Sequence, residues 1–279
     1  MSRKFKRNIQ NLFFTAITLL FVGISLFPFY WQLITALKPP EQVFKMPPTW
    51  WPERLYLNNF VEVFRSQPFF EFIKNSLIVS TLTTLFCLVV GSMAAYSLAR
   101  LQIRGKYIFL FAVLAVAIFP QVSVVSPLFL VFKKLDWLNT YQALIIPYIA
   151  FNLPLTIWIL TSFFSDIPSD LEESAKVDGC NSIQAMVKII FPVAVSGIFT
   201  AAILIFIAAW NEFLLALVFT YDEVARTVPV GIALFPGVHH VPWDTIAAAS
   251  VIVTAPVIAI VLIFQKRVIS GLTSGSVKG

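Results

Sequence analysis

The chain has 279 residues, of which 58% are hydrophobic and only 12% charged, and it carries a net charge of +6. Soluble domains run nearer about 45–50% apolar and about 25% charged, so charged side chains are too sparse here to cover a globular surface of this length. That excludes a disordered chain, a disulfide scaffold and an ordinary soluble enzyme; basic residues scattered between apolar runs, with no basic stripe, argue against nucleic acid.

A helix needs roughly 20 apolar residues to cross a bilayer core, and charge-free runs of that order can be read along the chain. They predict an all-α, multi-pass membrane protein. Residues 1–279 would form one transmembrane domain with spans at about 11–37, 75–99, 107–132, 137–165, 194–221 and 245–265. The fifth run begins at Ile189 and is interrupted by Glu212, the only acid in any of them. The first run is too long for a signal peptide and has no small-residue cleavage site before Lys38, so it reads as an uncleaved span.

Six spans would place both termini on one side with the 100–106 and 166–188 loops. That side carries twelve Lys and Arg against five acids, while the other carries eight of each. The excess of basic residues predicts that the termini are cytoplasmic. The outer stretch 38–72, with Pro47, Pro48, Trp50, Trp51 and Pro52, reads either as an interfacial anchor or as a docking surface. Cys87 and Cys180 fall in a span and in a loop, which suits small packed residues and neither a disulfide nor a metal site. Pro120, Pro127, Pro147, Pro154 and Pro256 interrupt spans three, four and six, freeing carbonyls that neighbours or a water-filled cavity must satisfy.

The cytoplasmic loop 166–192 is the most informative segment. Ser169-Asp170-Leu171-Glu172 has the capping-box spacing, with Ser169 as N-cap and Glu172 reaching back to its N–H. Asp170, Glu172 and Glu173 would sit at the positive end of the helix dipole. Gly179 follows as a left-handed cap, and Asn181 with Gln184 repeats the capping pattern for a second helix leading to span five.

Glu173-Ser174-Ala175, Asp178-Gly179 and Ile189-Ile190-Phe191-Pro192 resemble the EAA loop of ABC-importer permeases. That pattern is Glu-Ala-Ala, three residues, Gly, nine residues, Ile, any residue, Leu, Pro; here the spacing is kept, with Ser174 and Phe191 as departures. The resemblance narrows to carbohydrate-uptake permeases of the smaller maltose-system type. It does so through Leu37-Lys38-Pro39-Pro40-Glu41, Asn75-Ser76-Leu77, Leu138-Asn139-Thr140, Trp210-Asn211-Glu212-Phe213 and Gly271-Leu272-Thr273-Ser274-Gly275.

The resemblance implies a sugar permease in the lipid bilayer, working with a homologous second permease, two ATPase subunits and an extracytoplasmic solute-binding protein. Glu172, Glu173, Ser174, Ala175, Asp178, Gly179 and Pro192 would then form the ATPase-coupling element. ATP and Mg would be bound by the partner ATPases. The chain itself has no phosphate-binding loop, and neither a catalytic residue nor a metal site is expected in it.

Asn152, Trp210, Asn211 and Glu212 are the substrate-pathway candidates, because amides and carboxylates bind sugar hydroxyls and indole packs on sugar rings. Glu212 reads equally as a structural hydrogen bond between helices. His239 and His240 lack the carboxylate spacing of a metal site and read as loop residues. The family likeness places the tail 270–279 near the ATPase pair. A related cargo, such as a glycosylated compatible solute or a polyol, fits the same machinery. A secondary transporter would require ion-coupling acids in several spans, and a membrane-embedded enzyme would require clustered His, Asp or Glu within them.

Overall fold

The computed structural model describes residues 3–101, 103–235 and 241–274, with side chains described over 10–101, 103–235 and 241–265. His239, His240 and the tail beyond Ser274 lie outside the described residues. Among the described residues every regular element is helical. In chain order these are α1 (Arg3–Ala36), α2 (Pro40–Val43), α3 (Asn58–Ser66), α4 (Phe69–Arg100), α5 (Lys106–Ile118), α6 (Gln121–Lys134), α7 (Tyr141–Ser165), α8 (Ser169–Val177) and α9 (Ser182–Ala185). A π-helical turn, Met186–Ile190, precedes α10 (Phe191–Val193), α11 (Val195–Trp210), α12 (Leu214–Phe219), α13 (Val228–Ala233) and α14 (Trp243–Ser274).

Four of these helices are long and apolar enough to cross a membrane, over Gln10–Ala36, Phe69–Arg100, Tyr141–Ser165 and Trp243–Gln265. Two further pairs qualify only if each bent pair is taken as one span, which brings the total to six. The run at 107–132 is therefore not one continuous helix: α5 and α6 meet at 84°. The break has a local cause. A residue preceding proline is pushed out of the α region, and Phe119, ahead of Pro120, is extended at φ −68°, ψ 130°. Pro127, Pro147, Pro154 and Pro256 instead lie inside helices.

The chain forms two compact units. One comprises the described residues of 1–67 and 234–254. In it the segment after α1 folds back on the end of that helix, and buried amides fix the path. The Asn59 side chain donates to the carbonyls of Ala36 (2.9 Å) and Lys38 (2.8 Å), taking up acceptors that a helix end leaves without partners. Gln42 donates to Thr49 Oγ1 at 2.7 Å and to the Trp51 carbonyl at 3.3 Å, and accepts from the Glu53 N–H at 3.1 Å. Trp50 packs edge-on to Trp31 with centroids 5.7 Å apart, and its carbonyl accepts from Tyr30 Oη at 2.5 Å.

The other unit comprises the described residues of 68–233 and 255–279. Its centre is α4 against α7 and α11. The approach of α4 to α7 depends on Gly91, where an added Cβ would lie 2.6 Å from Thr156 Cγ2. Two apolar clusters hold the unit together. One gathers Leu144, Tyr148, Leu215 and Phe219. The other gathers Tyr96, Leu160, Phe164, Met186 and Ile190, and so carries the 166–192 loop directly on the helix core. Between helices of a membrane-crossing bundle such clusters hold by close packing and not by removal from water, because lipid tails are as apolar as the side chains.

Candidate functional site

Helix α8 begins differently from the capping box read in its sequence. Its N-cap is Pro168, and Ser169 is the first helical residue, making no side-chain cap; its hydroxyl lies 3.4 Å from Asp170 Oδ1. Glu172 does not reach back to the helix start. Its carboxylate turns inward and is buried, because α4 presents partners there. Tyr96 Oη donates to Glu172 Oε1 at 2.7 Å, Lys176 Nζ pairs with the same oxygen at 2.7 Å, and Arg100 Nε lies 3.5 Å from Oε2. Arg100 Nη2 also donates to the Ile167 carbonyl at 2.8 Å, just ahead of α8.

Burial pushes the Glu172 carboxyl up. The hydrogen bonds from Lys176 and Tyr96 and the charges of Lys176 and Arg100 outweigh it, so its pKa lies below the ordinary value. Tyr96 and Arg100 were not singled out from sequence. The available signal was a base at the end of an apolar run facing a loop rich in acids.

The α8 C-terminus closes as the sequence suggests. Gly179 has φ +87°. The Cys180 N–H donates to the Ala175 carbonyl at 2.9 Å and the Gly179 N–H to the Lys176 carbonyl at 3.1 Å, which together make a Schellman turn. Ala175 is buried under the turn, whereas Glu173, Ser174, Asp178 and Gly179 face outward.

The reciprocal Asn181–Gln184 box is present: the Gln184 N–H donates to Asn181 Oδ1 at 2.9 Å, and the Asn181 N–H donates to Gln184 Oε1 at 3.0 Å. The helix then loosens into the π turn, where the Phe191 N–H reaches the Met186 carbonyl. Pro192, which has no N–H and crowds the preceding turn, follows at once and is exposed. The segment 182–193 lies at 84° to α11. Leu171, Val177, Ile183 and Val187 are exposed along α8, α9 and the π turn, with Val177 87% exposed. The segment therefore presents charged and apolar side chains side by side on its exposed face.

The pathway candidates separate. Trp210 is buried and stacks on Phe206, with centroids 5.7 Å apart. Asn152 Nδ2 donates within its own helix to the Tyr148 carbonyl at 2.8 Å. Glu212 stands in the break between α11 and α12 and accepts the N–H groups of Leu215 (2.8 Å) and Ala216 (3.1 Å), so it caps α12. The Tyr148 hydroxyl also donates to it. Asn211 is exposed, but its amide donates to the Ile207 carbonyl at 2.9 Å.

Two other sequence motifs likewise resolve into ties between segments. Asn75 Nδ2 donates to the carbonyls of Val224 (3.0 Å) and Arg226 (2.9 Å), and Asn75 Oδ1 accepts from Tyr141 Oη at 2.6 Å. Ser76 Oγ accepts the Val228 N–H at 2.8 Å. Asn139, at φ 61°, donates to Asp222 through its side chain and to the Phe219 carbonyl (2.7 Å) through its backbone. Cys87 is buried and Cys180 half-buried, and both are free. Among the described residues no cluster of three or more His, Cys, Asp or Glu could hold a metal ion.

The chain is similar to known proteins over most of its length. It is 45% identical over 260 residues to the trehalose/maltose transport system permease protein MalG of Thermococcus litoralis, covering 92% of each chain. It is 43% identical over 266 residues to the sulfoquinovosyl glycerol transport system permease protein SmoH of Agrobacterium fabrum, covering 95% of this chain and 93% of that one. Its fold matches a chain of a bacterial ABC transporter involved in the import of alginate, with a TM-score of 0.79 at 21% identity over 95% of this chain and 98% of that one. Residues 87–274, which hold the Glu172 clamp, the Gly179 turn and the Glu212 cap, match the family described as binding-protein-dependent transport system inner membrane component, and the chain belongs to that family.

Proposed function

We propose that the chain is the non-catalytic permease subunit of an ATP-driven importer that moves a sugar of the di- or oligosaccharide type across the cytoplasmic membrane by alternating access. Both termini and the 166–192 loop face the cytoplasm. Two partner ATPases bind ATP and Mg, a homologous second permease completes the pathway, and an extracytoplasmic binding protein delivers the sugar. Glu173, Ser174, Asp178 and Gly179 meet the ATPase, while Glu172 and Ala175 hold the element to the helix core and Pro192 sets its exit toward α11.

The observation that carries this reading is the Ser169–Val193 segment. Its turn is fixed at Gly179, its acid is locked onto α4, and apolar side chains project from its outer face. Relatives named for trehalose/maltose and for sulfoquinovosyl glycerol support a carbohydrate cargo. The second of these names a sugar joined to glycerol, which supports as a second reading a glycosylated compatible solute or polyol on the same machinery.

The test is to purify the tagged chain from its native membrane and identify what accompanies it. An ATPase, a second permease and a solute-binding protein are expected, with the sugar identified by ligand screening of that binding protein. A chain recovered alone or as a homo-oligomer, without ATPase, overturns the reading in favour of a secondary transporter.

A further inference from the structure

Lys38 stands two residues beyond the end of α1, whose 10–36 segment is apolar enough to cross a membrane. The residue is only 3% exposed. Its ammonium donates to the Thr49 carbonyl at 2.5 Å and lies 4.7 Å from the centroid of the Trp31 ring. One carbonyl and one aromatic face satisfy part of a group that has three N–H donors. Among the described residues no carboxylate pairs with it, and Glu53 of the same segment is engaged by Lys45. A buried charge without a counter-ion is costly.

Lys38 also lines a cavity of about 410 Å³ in the same unit, together with Trp31, Gln32, Thr49, Trp243 and Ser250. A neutral sugar could stack on the indoles but would leave the ammonium uncompensated. An anion would not. Indole rings at the end of a membrane-crossing segment mark the headgroup level, where an ammonium meets lipid phosphates at hydrogen-bonding range.

We propose that this cavity is a phospholipid site, in which Lys38 pairs with the phosphate and Trp31 and Trp243 flank the headgroup. Free phosphate shares the same chemistry, but the apolar α1 beside the cavity favours the lipid, whose acyl chains would lie along it. The site is independent of the cargo and of the coupling loop.

The test is native mass spectrometry of the full-length chain, purified in neutral detergent with its accompanying subunits and titrated with dioleoyl phosphatidylglycerol. Wild type should retain one lipid more than Lys38→Gln, with apparent affinity about fivefold or more higher, and Lys38→Arg should retain it as wild type does. Equal retention by wild type and Lys38→Gln overturns the proposal. So does equal loss by Lys38→Gln and Lys38→Arg, because folding and not charge would then govern retention. Uncharged dioleoylglycerol retained as well as phosphatidylglycerol also overturns it. Inorganic phosphate that displaces the lipid at matching concentration overturns the lipid in favour of a free-anion site.

Discussion

Tyr96 and Glu172 are 76 residues apart in the chain and joined by a hydrogen bond of 2.7 Å. With Arg100 and Lys176 they bind the exposed loop to the end of α4. Tyr96→Phe should leave the assembled importer hydrolysing ATP while uptake falls, and should cost about 1.5–3 kcal/mol of local stability. Glu172→Leu should cost more, about 3–5 kcal/mol, because Arg100 would stay buried without its acid. ATPase and uptake rates measured on the same proteoliposomes check this. Unchanged uptake per ATP in both variants would show that the clamp plays no part in coupling.

Acid should loosen the same clamp. The folded pKa of Glu172 is depressed, so its stabilising contribution is complete above the ordinary value of 4.5 and is lost as pH falls through the folded value. Protease cleavage within 169–193 should therefore be constant from neutral pH down to about 4.5 and rise as the pH falls below it. In Glu172→Gln the rise should disappear.

Gly179 distinguishes backbone from side-chain causes. Nothing lies within 4 Å of where its Cβ would be, and only its φ of +87° resists substitution. Gly179→Val should uncouple hydrolysis from uptake, since a β-branched residue pays about 1–2 kcal/mol or more for that conformation. Gly179→Asn should retain most of the uptake, because Asn tolerates left-handed backbone. Equal loss in both variants would point to a steric clash with the docking partner.

Glu212 is expected to behave as a helix cap. Glu212→Ala should lower the melting temperature of the purified chain, at a cost of about 0.5–2 kcal/mol for the lost cap, and leave the half-saturating sugar concentration unchanged. A shifted half-saturation at normal thermal stability would return Glu212 to the substrate pathway.

Asn75→Ala removes three hydrogen bonds from the tie between α4, α7 and residues 224–226. A loss of about 3 kcal/mol follows at roughly 1 kcal/mol per bond. Thermal unfolding should show it, and Asn75→Asp should not restore it, since both donors are gone.

The parts legible in sequence are those governed by neighbours within a few residues. The apolar runs of α1, α4, α7 and α14, the left-handed Gly179 and the Asn181–Gln184 box all have local causes. Ser169-x-x-Glu172 has the same local signature and failed, because Tyr96 and Arg100 offered the carboxylate a better environment than the helix start did. Proline identity alone did not reveal where runs break: Pro120 opens an 84° corner, while Pro147 and Pro154 stay within α7. Apolar content records that a segment prefers lipid or core and is silent on the direction of its axis. The pathway candidates were chosen by chemistry, which names groups able to bind a sugar and is silent on the neighbours they meet: Trp210 packs on Phe206, and Asn152 and Glu212 bond to backbone groups.

Helix α4 is held near its beginning by Asn75 and Ser76 and at its end by Tyr96 and Arg100. The 21 residues from Asn75 to Tyr96 span about 32 Å at 1.5 Å per residue, close to the roughly 30 Å of a bilayer core. No proline lies between them. A single unjointed rod therefore ties the exposed loop 169–193 to the strand of chain at 224–228, and an axial shift imposed at one end arrives at the other with little lost to bending.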